Sequence, residues 1–220
     1  MKTFDARAEI GHYASGLESA VGSAEMGQLC EDMRLWIPDP DALFASKRVL
    51  DLGAGTGRNG VVIAAGFGPR SVVSLELVFQ RLRAAGEWQQ KLPAFTPVCG
   101  DAFRLPFGSA CFDYVVANSV LHHLPDLDRA TAEIGRVLRP GGWYIGREPN
   151  FNNPVVRTVV FRLRGQHLTP NEYPLRAQQI VRSFEKAGCR CEMHYFSRRL
   201  SWLRNRILSV AISVRAQRLG

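Results

Sequence analysis

The stretch Val49-Leu50-Asp51-Leu52-Gly53-Ala54-Gly55-Thr56-Gly57 narrows the possible folds more than any other part of the chain. A short apolar run carries an acid at its penultimate position and passes into three glycines spaced two apart. Glycine tolerates a left-handed or sharply folded backbone, and it lets another molecule approach the main chain where a Cβ would intrude. Val61, Val62, Ala64 and Ala65 then restore helical periodicity. Strand, glycine turn and helix in this order open a sheet whose ligands bind beyond the carboxyl ends of its strands. Gly55-Thr56-Gly57-Arg58-Asn59-Gly60 also satisfies the dinucleotide pattern G-x-G-x-x-G, so the turn alone does not choose a ligand.

The alternation continues. Residues 71–76 read as a second strand, 78–91 as a helix, and 96–99 as a third strand near an edge, because Pro97 cannot donate to a ladder. Residues 112–117 read as a strand buried on both faces. Asp126 caps a helix that Leu127, Ala130, Ile134, Val137 and Leu138 stripe, with Arg136 and Arg139 in its last turn and Pro140-Gly141-Gly142 ending it. Strands at 143–148 and 189–197 flank an insertion over 149–172, with one helix near 154–164, and a helix at 177–187 stopped by Gly188. Residues 207–214 fit a last strand better than a basic amphipathic helix lying on a membrane. Ahead of all this, residues 5–36 read as one or two helices, ended by Pro38 and Pro40. The expected fold is therefore α/β: a doubly wound, mostly parallel, seven-stranded Rossmann-like sheet with helices on both faces. An N-terminal helical cap over 1–40 precedes the domain at 41–220.

Composition bounds the function. The chain is 46% hydrophobic and 22% charged, ordinary for a globular protein, and neither a spanning apolar run nor a signal-peptide core stands out. The expectation is a cytoplasmic protein. Cys30, Cys99, Cys111, Cys189 and Cys191 are odd in number and lack Cys-x-x-Cys spacing, so neither a disulfide framework nor a metal site is expected. The net charge of +8 is uneven, since residues 151–220 carry 13 Lys+Arg against three acids. That bias suits an anionic acceptor, an anionic lipid surface touched peripherally, or RNA. Arg157, Arg162 and Arg164 are candidates for binding an anionic acceptor. Oligomeric state is left open.

Polar groups stand at successive strand ends. Glu76 has two oxygens able to accept from a pair of ribose hydroxyls, Asp101 can accept from an adenine amine, and Asp51 can reach an ammonium directly or through water. Asn118 ends the fourth strand on the same side. With Gly53, Ala54, Gly55 and Gly57 these residues resemble the class I S-adenosylmethionine-dependent methyltransferases. The resemblance runs through Gly100-Asp101-Ala102, Leu105-Pro106-Phe107, Leu121-His122-His123-Leu124 and Arg136-Val137-Leu138-Arg139-Pro140-Gly141-Gly142, and is nearest to the small-molecule, ubiquinone-type branch. It implies S-adenosylmethionine as cofactor, Leu77 packed on adenine, backbone contacts from Ala102 and Phe103, and Tyr13 as the residue covering the cofactor. The acceptor it implies is a small or lipid- or sugar-linked molecule methylated at oxygen or carbon. His122, His123 and Glu148 are candidate catalytic groups. A nicotinamide oxidoreductase is disfavoured by Asp51 directly before the glycines. Asn118-Ser119-Val120-Leu121 lacks the Asn/Asp-Pro-Pro-aromatic motif of exocyclic-amine methylases, so no duplex DNA is expected. An RNA methyltransferase using the basic third and a non-catalytic cofactor-binding subunit remain as alternatives.

Overall fold

The computed structural model describes residues 23–158, 173–196 and 209–220. Seven strands, β1 (Arg48–Leu52), β2 (Ser71–Glu76), β3 (Phe95–Cys99), β4 (Phe112–Asn118), β5 (Leu138–Pro149), β6 (Cys189–Phe196) and β7 (Ala211–Arg218), form one sheet in the order β3-β2-β1-β4-β5-β7-β6. Every pairing from β3 to β5 is parallel, and β7 runs antiparallel to both β5 and β6. The doubly wound, mostly parallel sheet expected from the sequence is the sheet observed. β3 lies at an edge, where the missing N–H of Pro97 is tolerated.

Side-chain alternation along the central strands builds two cores. Val49, Val116 and Ile145 point to one face, where they meet Val61, Val62 and Ile63 of α3 (Arg58–Gly66) and Phe44 of α2 (Pro40–Phe44). Leu50, Val115 and Tyr144 point to the other, against Ala130, Ile134 and Val137 of α6 (Leu127–Val137) and Ile180 and Phe184 of α8 (Ala177–Lys186). Neighbouring residues of one strand thus bury on opposite faces, as period-two geometry requires. The chain after α1 (Ser23–Arg34) joins the first core through Trp36 and Ile37, and Ser213 Oγ of β7 donates to the Trp36 carbonyl at 3.1 Å. The described part of the N-terminal segment is therefore continuous with the domain core.

Several boundaries differ from the sequence reading. Pro40 begins a helix rather than closing one: Asp39 caps α2 by accepting from Ala42 N, and proline suits a first helical position. Residues 78–91 break into α4 (Phe79–Leu82), a 3₁₀ turn at Arg83–Ala85 and α5 (Gly86–Lys91). Gly86 is a weak helix former, and Ala85 is drawn fully into the core beside Gly57. Asp126 caps α6 as expected, accepting from Arg129 N at 3.1 Å. That helix stops at Val137, however, because Leu138 is already extended and pairs with Phe112. Arg139 consequently lies in β5, ion-paired with Asp113, and the β4/β5 register shifts between Phe112 and Tyr114 where Gly141 takes φ 76°. The final strand is β7, starting at Ala211, and not a surface helix: Ile212, Val214 and Ala216 bury on one face while it pairs on both sides. Ile207 and Leu208 lie outside the described residues, as does the expected helix beyond α7 (Pro154–Thr158). Among the described residues no helix is long and apolar enough to cross a membrane.

Asp51, wholly buried at the end of β1, ties three elements together. Its Oδ2 accepts from Gly60 N of α3 at 2.9 Å and from Ser74 Oγ of β2 at 2.8 Å. A Cβ on Gly60 would stand 1.9 Å from Ser74 Oγ and 3.0 Å from Asp51 Oδ2, so α3 reaches the sheet only with glycine there. Burial pushes the Asp51 carboxyl up to about 7, against the pull of the Ser74 and Gly60 hydrogen bonds.

Gly60→Ala should displace Ser74 and lower stability by about 1–3 kcal/mol in chemical denaturation; an unchanged midpoint would refute the close contact. Asp51 holds its proton more tightly folded than unfolded. Its contribution is therefore full below the ordinary carboxyl value and is lost as pH rises through about 7. Between pH 5 and 8 the stability of Asp51→Asn should improve relative to the parent by roughly 1–3 kcal/mol. A pH-independent gap would show that Asp51 is ionised throughout.

Candidate functional site

The strand order reverses between β1 and β4, and a cavity of about 390 Å³ opens there at the carboxyl edge. Its wall is built from the turn after β1, the end of β2, the loop after β3 and the end of β4. Leu29 of α1, Arg58 and Asn59 of α3, and Arg81 of α4 complete it. The volume falls in the range of small-molecule sites.

The glycine turn is held in a shape that other residues adopt only with strain. Gly53, Gly55 and Gly57 have φ of 65°, 59° and 81°. Glu76, almost wholly buried, fixes this turn: Oε2 accepts from Gly55 N at 2.8 Å, and Oε1 accepts from Val78 N at 3.0 Å, ahead of α4. Each carboxylate oxygen has more than one acceptor direction, so this pinning leaves acceptor capacity on the cavity side. Asp101 works similarly across the cavity. Its Oδ1 accepts from Phe103 N at 2.8 Å, while Arg129 of α6 donates from Nε to the Phe103 carbonyl at 3.1 Å. The 100–104 loop is thereby tied down from behind and presents Gly100, Asp101, Ala102 and Phe103 to the cavity.

The loop after β4 is organised from beneath by Glu148. This carboxylate is 1% exposed; Oε1 accepts from Val120 N and Leu121 N at 3.0 and 2.9 Å, and Oε2 lies 2.6 Å from His122 Nδ1. Tyr173 N donates to the His122 carbonyl at 2.6 Å, and Ser119, at φ 61°, donates its N–H to the Arg147 carbonyl. The result turns His123 into the cavity wall, its ring centroid 4.2 Å from that of His122.

Of the residues singled out in the sequence, the structure gathers Gly53, Ala54, Gly55, Glu76, Leu77, Asp101, Ala102, Phe103, Asn118 and His123 around one cavity. Asp51 lies beneath the turn and Gly57 caps α3, both outside the wall. His122 and Glu148 are buried behind the wall rather than in it. Tyr13 lies outside the described residues. Arg58 and Asn59 follow the glycines directly and are legible as the first turn of a helix facing a ligand. Leu29 and Arg81 carry no local signal, since their place depends on how α1 and α4 fold back over the turn. Among the described residues, no three His, Cys, Asp or Glu side chains gather as metal ligands.

The wall fits a nucleoside joined to an amino acid. Glu76 and Asp101 offer acceptors to hydroxyl and amine groups, Leu75, Leu77 and Phe103 offer apolar surface, and the glycine turn admits close backbone approach. Asp51 Oδ1, buried under that turn without a hydrogen bond of normal geometry, carries negative charge there once its raised carboxyl ionises, and a bound cation would favour that form. The Asn59 amide lies near enough to ease part of that charge.

Comparison with known proteins agrees with this chemistry. A family described as methyltransferase domain matches residues 50–146. A malonyl-[acyl-carrier protein] O-methyltransferase of Methylovorus sp. is 38% identical over 105 residues, 45% of this chain and 36% of that protein. A phthiotriol/phenolphthiotriol dimycocerosates methyltransferase of Mycobacterium ulcerans is 34% identical over 143 residues, 65% of this chain and 52% of that protein. The chain spans roughly a third to a half of the length of the curated relatives it matches. Haemonchus contortus phosphoethanolamine N-methyltransferase 2, solved with S-adenosyl-L-methionine, superposes with a TM-score of 0.70 at 18% identity, covering 98% of this chain and 57% of that one. Residues 50–146 of this chain are thus a methyltransferase domain, carried on a sheet with the fold of the class I S-adenosylmethionine-dependent methyltransferases.

Proposed function

We propose that the chain transfers the methyl group of S-adenosylmethionine to a small-molecule or lipid-linked acceptor, at oxygen or carbon. The observation that carries this reading is the meeting of Glu76, Asp101 and the glycine turn around one 390 Å³ cavity. In the proposed assignment Glu76 accepts from the ribose hydroxyls, Asp101 and the backbone of Ala102 and Phe103 take the adenine edge, and Leu77 packs on its face. Gly53, Ala54 and Gly55 admit the methionyl end, and Asn118 borders the reacting side. The cofactor, when bound, supplies an electrophilic methyl on a sulfonium. The chain's own task is orientation and exclusion of water, which can supply much of the barrier reduction.

His123 is the proton acceptor for the acceptor's hydroxyl or acidic carbon, because its ring is in the cavity wall. His122 and Glu148 are positioning residues in this scheme: their buried pair and the two amides on Glu148 hold the loop that aims His123. The relatives' names support acceptors tethered to a carrier or carrying long lipid chains. Arg157, exposed on α7, remains a candidate for an anionic acceptor group, while Arg162 and Arg164 lie outside the described residues. Selection of the acceptor is assigned to the N-terminal segment and residues 149–172.

Calorimetric titration tests the cofactor assignment. S-adenosylmethionine and S-adenosylhomocysteine should bind with micromolar affinity and NADH should not. Glu76→Ala should weaken both adenosyl ligands by about tenfold or more, as loss of charged hydrogen-bond acceptors implies. Tight NADH binding would move the chain to the oxidoreductases. Once an acceptor is found, His123→Ala should reduce turnover about 10²–10⁴-fold while leaving S-adenosylhomocysteine affinity within a few fold. Undiminished turnover would leave proximity alone as the source of catalysis.

A further inference from the structure

The geometry points to a second binding site, for a phosphate monoester or pyrophosphate group, at the opposite, amino edge of the sheet. A hollow of about 170 Å³ lies there, lined by Lys47, Arg48, Arg70, Arg139 and Asp113. The four cations come from three separate parts of the chain: the start of β1, the residue before β2, and β5. Only Arg139 has an ion-pair partner among the described residues, and that partner is Asp113, the single acid in the wall. Asp113 is further occupied by Arg48 N, which donates to its Oδ2 at 2.7 Å. Among the described residues, Lys47, Arg48 and Arg70 therefore face one small hollow with no carboxylate paired to them.

Backbone hydrogen bonds hold the stems of these side chains close together. The Lys47 carbonyl accepts from Arg70 N at 2.8 Å and from Ser71 N at 3.3 Å, and Ser46 N donates to the Gly68 carbonyl at 2.9 Å. On the other side Ala110 N and Cys111 N donate to the carbonyls of Arg136 and Val137. Repulsion between cations held together is relieved by an anion placed among them, which gains guanidinium hydrogen bonds at the same time. The hollow also contains two residues in the left-handed region that are not glycine, Ser46 at φ 60° and Ala110 at φ 56°. Such strained residues concentrate where a ligand is held; another of them, Ser119, lines the large cavity.

The space is less than half that of the large cavity, its wall is polar and charged, and no aromatic side chain among the described residues lines it. It therefore suits a compact, multiply charged anion, not a nucleoside. β1 separates the two sites by its whole length, roughly 15 Å at the rise of a strand, so this anion is not the methyl acceptor.

The test uses the full chain in sodium chloride at constant ionic strength. Pyrophosphate should bind saturably with a dissociation constant below about 1 mM and raise the parent's unfolding midpoint, as linkage requires. Arg48→Gln/Arg70→Gln should bind at least about tenfold more weakly and lose that thermal shift, while unfolding no earlier than the parent in chloride alone, since repulsion has been removed. If the double variant does not fold, Lys47→Gln carries the same comparison. Flotation with phosphatidic acid vesicles, against phosphatidylglycerol vesicles of matched charge, separates the sources. Capture by phosphatidic acid that the variant loses identifies a lipid headgroup, and pyrophosphate binding without capture identifies a soluble ligand. Absence of saturable pyrophosphate binding, or equal binding by parent and variants, would overturn the site.

Discussion

The loops that make the large cavity are shaped by one recurring interaction, a carboxylate at or just beyond a strand's carboxyl end accepting from loop backbone amides. Asp51 accepts from Gly60 N, Glu76 from Gly55 N and Val78 N, Asp101 from Phe103 N, and Glu148 from Val120 N and Leu121 N. At the end of a parallel strand the chain leaves the ladder, and its amides need new partners before they can be buried. Charged acceptors meet that need with stronger bonds than neutral carbonyls would. The cavity is consequently a set of loops each fastened from behind, with fronts left for a ligand.

This arrangement separates the acids by depth. Asp51 and Glu148 are wholly buried and spend their acceptor capacity on the protein, whereas Glu76 and Asp101 stand in the wall. Burial of a carboxylate is unfavourable unless hydrogen bonds or a partner charge compensate. Glu148 has compensation on both oxygens, through two amides and His122, while Asp51 has it on one, and its carboxyl is pushed up to about 7. Removing Glu148 would leave two amides and a histidine in the interior without their acceptor. Its importance to the site thus follows from loop geometry even though it lies behind the wall.

Much of this was legible in the sequence, for identifiable reasons. The three glycines, the acid before them and the acids at 76 and 101 are set by local backbone demands, and local demands can be read from spacing. The alternation of strand and helix announced the sheet, and Asp126 announced the start of α6. Residues whose role depends on long-range packing were not readable in this way. Leu138 looked like the last apolar position of a helix because its side chain does join that core; it is extended because Phe112 recruits it to the sheet. His122 and His123 are adjacent and alike in sequence. Glu148, 26 residues beyond His122, holds that ring behind the wall and leaves the other facing the cavity.

The two ends of the sheet also divide its charges. At the carboxyl edge, carboxylates organise amides and face a cavity suited to a ligand with a cationic end. At the amino edge, Lys47, Arg48, Arg70 and Arg139 gather around one paired acid. Parallel strands make such a division possible, because every β-α connection begins at one edge and every α-β connection returns at the other. Residues on the two sets of loops are then brought together by the same strand order without touching each other. The positive hollow owes nothing to the basic C-terminal third that dominates the composition. Its cations all come from residues 47–139, ahead of that third, and strand topology brings them together.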